Sequence, residues 1–181
     1  MLNVFEHERS KSTIPWAPPD QWQAVNRAIR FHCDRYPENF KSAVSLAQKT
    51  KRRLQTIFPV LDEMCADSCP WCPEPCCLKA SVWFDFKDLL FLHFNEQPIP
   101  PAQPKANLNM PCRYLGSRGC RLPRMTRPWI CTWYLCPTQK DRLRKEDAAA
   151  YDRLEREMKE IGTARKQMLA VFLQAVCSES K

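Results

Sequence analysis

Apolar side chains recur every three or four residues near the start of the chain and predict a first helix. The apolar positions are Trp22, Val25, Ile29 and Cys33. Asp20 and Gln23 match the capping box that often opens a helix, and Pro37 is expected to end this one. The preceding residues 1–19 are predicted to form a loose arm that Trp16 anchors.

A second apolar pattern predicts a helix that begins near Glu38. Its buried side is formed by Phe40, Val44, Ala47, Leu54, Ile57 and Leu61. Pro59 is expected to break or kink the helix, because proline lacks the amide hydrogen that the helix needs. A basic group is expected to form its solvated face: Lys49, Lys51, Arg52 and Arg53.

A third pattern predicts a long helix over the C-terminal part of the chain. Thr138 and Asp141 match a capping box at its start, and Gly162 is a candidate break. An apolar stripe, interrupted at Arg165, contains Tyr151, Leu154, Met158, Ile161, Met168 and Phe172. This stripe is expected to pack in the core or against a helix of a protein partner.

The centre of the chain is rich in proline and predicts short, irregular structure. Residues 81–86 and 89–94 are aromatic and apolar and predict two strands or one bent strand. The expected fold is therefore α+β, with mostly helical ends around an irregular cysteine-rich centre that contains a small β element. We divide one compact domain into a helical segment 1–64, a central core 65–137 and a long helix 138–181.

Nine of the eleven cysteines lie in two windows of this central core. Thiols separated by two or three residues and set between prolines are typical of ligands for a metal ion or an iron–sulfur cluster. The candidate ligands are Cys65, Cys69, Cys72, Cys76, Cys77, Cys112, Cys120, Cys131 and Cys136. Cys33 and Cys177 lie outside both windows and are expected to be ordinary packed thiols.

A secreted disulfide framework is the rival interpretation of so many cysteines. An odd cysteine count argues against it, and residues 1–9 lack the apolar run of a signal peptide. We therefore expect reduced thiols and a cytoplasmic protein. No apolar stretch of the sequence is long enough to span a bilayer.

The candidate centres are a zinc ion, a mononuclear iron and an iron–sulfur cluster. The run Cys69-x2-Cys72-x3-Cys76 partly matches a ferredoxin motif, which favours a cluster of the [4Fe-4S] type. Nine thiols exceed the four that one zinc ion or one such cluster takes, so two sites and one site with spare thiols both fit. The adjacent side chains of Cys76 and Cys77 are expected to diverge.

Positive charge accompanies the second cysteine window. Five arginines and no acid lie between residues 111 and 137: Arg113, Arg118, Arg121, Arg124 and Arg127. They are expected to offset the negative charge of a thiolate centre, and the alternative is an external anion or nucleic acid. Trp71, Trp129 and Trp133 are expected to shield the centre from water. Asp85 fits either the site or a solvent face, and His93 is expected to be a core histidine.

The order of these motifs resembles the YkgJ-type cysteine-cluster family, which is described as zinc- or iron-chelating. The matching pieces are Cys69-x2-Cys72-x3-Cys76-Cys77, Pro111-Cys112-x2-Leu115, Gly119-Cys120 and Arg127-Pro128-x2-Cys131. The family has two residues rather than three between its second and third cysteines, and Cys65 is an additional thiol. The resemblance covers residues 65–137 and implies metal chelation without a defined reaction.

Three functions are compatible with these observations. The first is a protein that binds a metal ion or an iron–sulfur cluster through thiolates. The second is an iron–sulfur enzyme of the redox or group-transfer type, because flagellin lysine N-methylases have a similar cysteine cluster. The third is a nucleic-acid-binding module, for which the argument is that the five arginines are interleaved with Tyr114, Trp129 and Trp133.

Overall fold

The computed structural model describes residues 13–178 and is a mostly helical α+β fold with one small antiparallel sheet. Its helices are α1 (Pro19–Arg35), α2 (Lys41–Ser68), α3 (Cys76–Lys79), α4 (Phe86–Phe94), α5 (Trp129–Trp133), α6 (Pro137–Glu146) and α7 (Ala148–Ser178). Its strands are β1 (Leu115–Gly116) and β2 (Gly119–Cys120). Short 3-10 turns occupy Pro37–Phe40, Cys69–Trp71 and Arg124–Thr126.

The core lies where α2 and α7 pack along each other, with α4 against both and α1 against α4. Phe172 of α7 is fully buried and stacks on Phe40, with the ring centroids 5.1 Å apart. It also contacts Phe86 and Phe94 of α4, so one aromatic cluster joins three parts of the chain. We call α1, α2, α4 and α7 the helical body.

The predicted strands at 81–86 and 89–94 are wrong, because residues 86–94 form α4. Asp85 and Asp88 form a capping box, in which each carboxylate accepts a hydrogen bond from the backbone N–H of the other residue. The run is apolar on nearly every side because α4 is buried on nearly every side. Such a buried helix has no visible period and looks like a strand in the sequence.

The segment before α4 is extended, and a side chain takes the place of a partner strand. The side chain of Gln103 accepts a hydrogen bond from the N–H of Phe84 at 2.8 Å and donates one to the carbonyl of Phe84 at 3.1 Å. The same amide donates to the carbonyl of Pro15 at 2.8 Å. Trp16 is buried nearby, which confirms it as an anchor, whereas residues 1–12 of the predicted arm lie outside the described residues.

Both predicted capping boxes are wrong in detail. α1 begins at Pro19 with no side-chain cap, because proline already has the backbone angle that a helix start needs. α6 begins at Pro137, where Gln139 rather than Asp141 accepts a hydrogen bond from the N–H of Cys136 at 3.0 Å. Pro37 does follow the end of α1, as predicted.

The predicted helix breaks are also misplaced. α2 continues through Pro59, whose side chain is exposed. α7 continues through Gly162, and the real interruption lies at Asp147, between α6 and α7. The Asp147 carboxylate accepts a hydrogen bond from the N–H of Ala150 at 2.8 Å, which satisfies an N–H of the first turn of α7.

Candidate metal centre

All eleven cysteines lie within the described residues, and every one is a free thiol. A disulfide framework would have paired them, so the structure does not support that interpretation. Eight of the nine candidate ligands lie on the short elements between α2 and α6, and Cys65 lies in the last turns of α2. We call residues 69–79 and 112–136 the cysteine region.

Three thiols from other parts of the chain act on Cys131, and we call the four together the four-thiol group: Cys77, Cys112, Cys120 and Cys131. Burial first, and then the three other thiols of the group, raise the pKa of Cys131 to about 12. Burial likewise raises the pKa of Cys77, with Cys120, Cys112 and Cys76 as the next causes. These electrostatic effects indicate that the other three thiols lie near Cys131.

A small hairpin positions one member of the group. β1 pairs with β2 so that Leu115 lies opposite Cys120 and Gly116 lies opposite Gly119. Gly119 has φ of 105°, which favours glycine. At the base of the hairpin, the Tyr114 hydroxyl donates to the carbonyl of Ala102 at 2.8 Å. This hydrogen bond fixes the hairpin against the preceding loop.

Cys65 and Cys69 form a separate pair of thiols at the end of α2, one helical turn apart. Burial, followed by the neighbouring Cys65 thiol, raises the pKa of Cys69 to about 11. Gln139 of α6 approaches the Cys69 sulfur at 3.7 Å and donates to the Met64 carbonyl at 3.0 Å. No member of the four-thiol group is among the causes for Cys69, so this pair is a separate feature.

The remaining candidate ligands belong neither to the four-thiol group nor to the Cys65–Cys69 pair: Cys72, Cys76 and Cys136. Tyr134 is hydrogen-bonded to the Cys76 thiol and lies within the influence of Cys136. Cys76 and Cys77 start the short helix α3, so the extended backbone for which their divergence was predicted is not present. Cys76 is itself among the causes that raise the pKa of Cys77. Cys72 is exposed.

The five arginines divide into two sets. Arg124 is buried, donates to the Asp62 carboxylate at 2.5 Å and to the Leu61 carbonyl at 3.1 Å, and hydrogen-bonds the Cys65 thiol. Arg127 is half-buried and acts on the four-thiol group. Its positive charge opposes the rise in the pKa values of Cys77 and Cys131.

The other three arginines are exposed: Arg113, Arg118 and Arg121. The guanidinium of Arg121 hydrogen-bonds the carbonyl of Arg113. Two of the five arginines, Arg124 and Arg127, thus act on thiols. The other three remain available for a basic surface that could contact nucleic acid.

The tryptophans do not act as one group. Trp71 is 83% exposed and shields nothing, contrary to the prediction. Trp129 and Trp133 are half-buried against the core, with their rings 6.2 Å apart. The indole nitrogen of Trp133 is buried and has no hydrogen-bond partner among the described residues.

A buried ion pair within the helical body also anchors the cysteine region through Asp88, and sequence reasoning missed it. Arg165 of α7 donates to the Asp88 carboxylate at 2.7 Å, and Asp88 also accepts from the N–H of Trp129 at 3.1 Å. Burial, and then the Asp85 carboxylate, raise the pKa of Asp88, while Arg165 opposes the shift. The available signal was Arg165 itself, since it interrupts the apolar stripe of α7.

Asp85, for which two roles fitted the sequence, caps α4 and pairs with Arg165 at 3.2 Å and with Lys87 at 2.9 Å. His93 is half-buried and lies 2.9 Å from Asn26, away from the thiols. Burial raises the pKa of Cys33 to about 11. Cys177 is exposed, so it is not the packed thiol that was predicted.

The four-thiol group fits a metal centre in the type and number of its donors. Zinc and [4Fe-4S] clusters both take four thiolates, with zinc–sulfur bonds of about 2.3 Å. Within residues 13–178, however, no three cysteine, histidine or carboxylate side chains are positioned to hold a metal ion as they stand. Binding therefore requires these sulfurs to approach one another by side-chain or loop movement.

No family model, curated protein or solved structure matches this chain. The resemblance to the YkgJ-type family stays a prediction that depends on the cysteine motifs alone. None of the helices in residues 13–178 combines the length and the apolar character needed to cross a membrane.

Proposed function

We propose that this protein binds a zinc or iron ion, or an iron–sulfur cluster, through thiolates of the cysteine region, in the manner implied by the YkgJ-type resemblance. The observation that supports the proposal is the effect of Cys77, Cys112 and Cys120 on the buried Cys131 thiol. These thiols are up to 54 residues apart in sequence (131 − 77), so only the fold brings them together. Nine thiols in two windows are hard to explain by packing alone.

The charge around the group supports the same proposal. Four thiolates around a divalent zinc ion leave about two net negative charges, and an oxidised four-iron cluster leaves a similar excess. Arg127 already acts favourably on the ionised forms of Cys77 and Cys131. It is the side chain that would partly offset the charge of the loaded site.

Cys65 and Cys69 would belong to a second centre or to spare thiols. Free thiols throughout the chain also favour a reducing compartment, for which the cytoplasm is the proposed location. The enzyme and nucleic-acid functions are not proposed, because no observation specifically favours them.

The test is anaerobic purification of the full chain, followed by elemental analysis, acid-labile sulfide assay and an absorption spectrum. We expect about one zinc or about four irons per occupied site. A brown protein with sulfide identifies a cluster, and a colourless protein with zinc identifies the ion.

Matched variants assign the ligands. Cys131→Ser and Cys120→Ser should lose the metal, whereas Cys33→Ser and Cys177→Ser, outside the cysteine region, should retain it. A chain without stoichiometric iron or zinc, or equal loading of all four variants, would overturn the proposal.

A further inference from the structure

A polar cleft on the helical body lies away from the cysteine region, and Cys33 is the one cysteine that lines it. It opens between the end of α1, the middle of α2 and the end of α4, with a volume of about 860 Å³. Small-molecule sites occupy about 300–1,000 Å³. Lys51 lines the cleft and precedes Cys65 by 14 residues of α2 (65 − 51), which is ~20 Å along the helix axis.

Three cations and two carboxylates line this cleft: Arg30, Lys51, Arg52, Asp34 and Glu96. Within residues 13–178 none of the three cationic side chains forms a hydrogen bond or an ion pair. The next side chain of α2, Arg53, instead pairs with Glu157 of α7 at 2.8 Å. The basic residues predicted to form the solvated face of α2 therefore have different surroundings. Arg53 faces α7, and Lys51 is half-buried in the cleft. Unpaired cations in a cleft favour a ligand with an anionic group.

The opposite side of the cleft includes Asn95, whose acceptor atom lies beneath the surface. Asn95 lines the cleft and is 8% exposed, and its Oδ1 is buried without a partner among the described residues. Its Nδ2 donates to the Phe91 carbonyl at 3.0 Å. A buried acceptor left unpaired is costly, so a ligand gains a hydrogen bond to Asn95 when it displaces the surface that covers this Oδ1. The neighbouring Glu96 has φ of 51°, an uncommon backbone conformation that often marks binding sites.

The wall between these two sides is uncharged. His93 lines the cleft, and burial lowers its pKa to about 4, with Arg30 as the next cause. Because the Asn26 Nδ2 already donates to the Trp22 carbonyl, its Oδ1 accepts the proton of His93 Nε2 at 2.9 Å. Val44, Leu92 and Ile99 add apolar surface. Asp34 and Glu96 at the rim exclude a ligand that carries negative charge over its whole length.

We propose that this cleft binds a nucleotide-like organic phosphate, with its phosphate at Lys51, Arg52 and Arg30 and an amino-bearing ring at Asn95. The apolar wall would contact the ring face, as is usual in such sites. The proposal is independent of the cysteine centre, since it uses none of the thiols of the cysteine region.

The test is calorimetric titration of the full chain, under reducing conditions, with AMP, GMP and CMP, each of which carries an exocyclic amino group. Adenosine and inorganic phosphate are the two half-ligands. We expect at least one nucleotide to bind with a Kd below ~1 mM and more tightly than either half-ligand. Amide chemical shifts should change at residues 92–97.

Two cleft-lining positions of α2 supply the variants. Lys51→Gln and Arg52→Gln should each weaken nucleotide binding ~10-fold or more, because each removes a charge-assisted contact to phosphate. Lys49→Gln is the matched control: Lys49 is exposed on the same helix and does not line the cleft. It should bind as the wild type does.

Three results would overturn the proposal. One is the absence of binding by all three nucleotides at ~10 mM. Another is inorganic phosphate binding as tightly as every nucleotide, which would indicate an adventitious ion only. The third is equal nucleotide affinity in Lys49→Gln, Lys51→Gln and Arg52→Gln.

Discussion

The helical body and the cysteine region achieve order in different ways. The body buries continuous apolar faces, with Leu61 of α2, Leu89 of α4 and Ile161 of α7 fully inside. The cysteine region has no helix longer than five residues within its described part, and its one sheet has two residues per strand. Elements this short cannot bury enough apolar surface to be stable alone. From this comparison we expect the body to fold without a ligand, and we propose that a metal centre supplies additional order to the cysteine region.

Metal removal should therefore affect the two regions very differently, and it is the largest expected effect. Structural zinc contributes ~10–16 kcal/mol in small metal-dependent folds. After chelation under reducing conditions, we expect proteases to cleave within residues 112–136 while the helical circular dichroism at 222 nm is mostly retained. Limited proteolysis with mass spectrometry measures the first, and the spectrum measures the second. An unchanged cleavage pattern would contradict the comparison.

Asp88, which holds the cysteine region against the helical body, is the next point at which to break the two regions apart. Asp88→Ala removes the nearer of the two carboxylate partners of the 3%-exposed Arg165 and the acceptor of the Trp129 N–H, which should cost up to ~3–5 kcal/mol. Denaturant unfolding measures this loss. The control is Lys87→Gln, because Lys87 forms only a partly exposed pair with Asp85 and should cost less than ~1 kcal/mol.

The double variant Asp88→Leu with Arg165→Met removes both charges and should recover most of the lost stability. If Asp88→Ala and Lys87→Gln cost the same, Asp88 does not hold the two regions together as described.

Sequence reasoning predicted the helical body well where the apolar pattern has a period. α1, α2 and the apolar stripe of α7 are recovered because each buries one side only. It failed at α4, where burial on nearly all sides removes the period, and at the helix starts, where Pro19 and Pro137 replace the predicted caps.

For the candidate site, sequence reasoning supplied the residue types but not their grouping. Spacing alone associated Cys69, Cys72 and Cys76 in one ferredoxin-like run, because it treats the window as one loop. The structure instead brings Cys65 and Cys69 together at the end of α2 and leaves Cys72 exposed. The grouping of Cys77 with three thiols of the second window depends on long-range packing, which local spacing does not encode.

Two glycines allow a smaller and more local test, because they should respond with opposite sign. Gly119→Ala places a side chain at φ of 105° in the hairpin of Cys120 and should cost ~1–2 kcal/mol. Gly162→Ala lies within α7 with nothing near the added methyl group and should stabilise by ~0.5–1 kcal/mol. Thermal unfolding of both variants measures the difference. Two changes of the same sign would show that the hairpin does not need its glycine.

The smallest expected effect is a pH dependence within the helical body. His93 has an ordinary pKa of 6.5 that burial lowers to about 4 in the folded chain. Between these values the unfolded chain binds a proton that the folded chain does not, so stability should fall as pH decreases from 6.5 to 4. His93→Gln should reduce this slope when unfolding is measured across that range. A slope equal to that of the wild type would contradict the assignment of His93 as a neutral, buried side chain.

The central claim is that Cys77, Cys112, Cys120 and Cys131 share one inorganic centre. X-ray absorption at the metal edge of the anaerobically purified chain tests it most directly, because it reports the atoms bonded to the metal. The account predicts about four sulfur ligands at ~2.3 Å for zinc or iron, reduced in Cys131→Ser. A shell of oxygen or nitrogen, or a spectrum identical in Cys131→Ser, would contradict it.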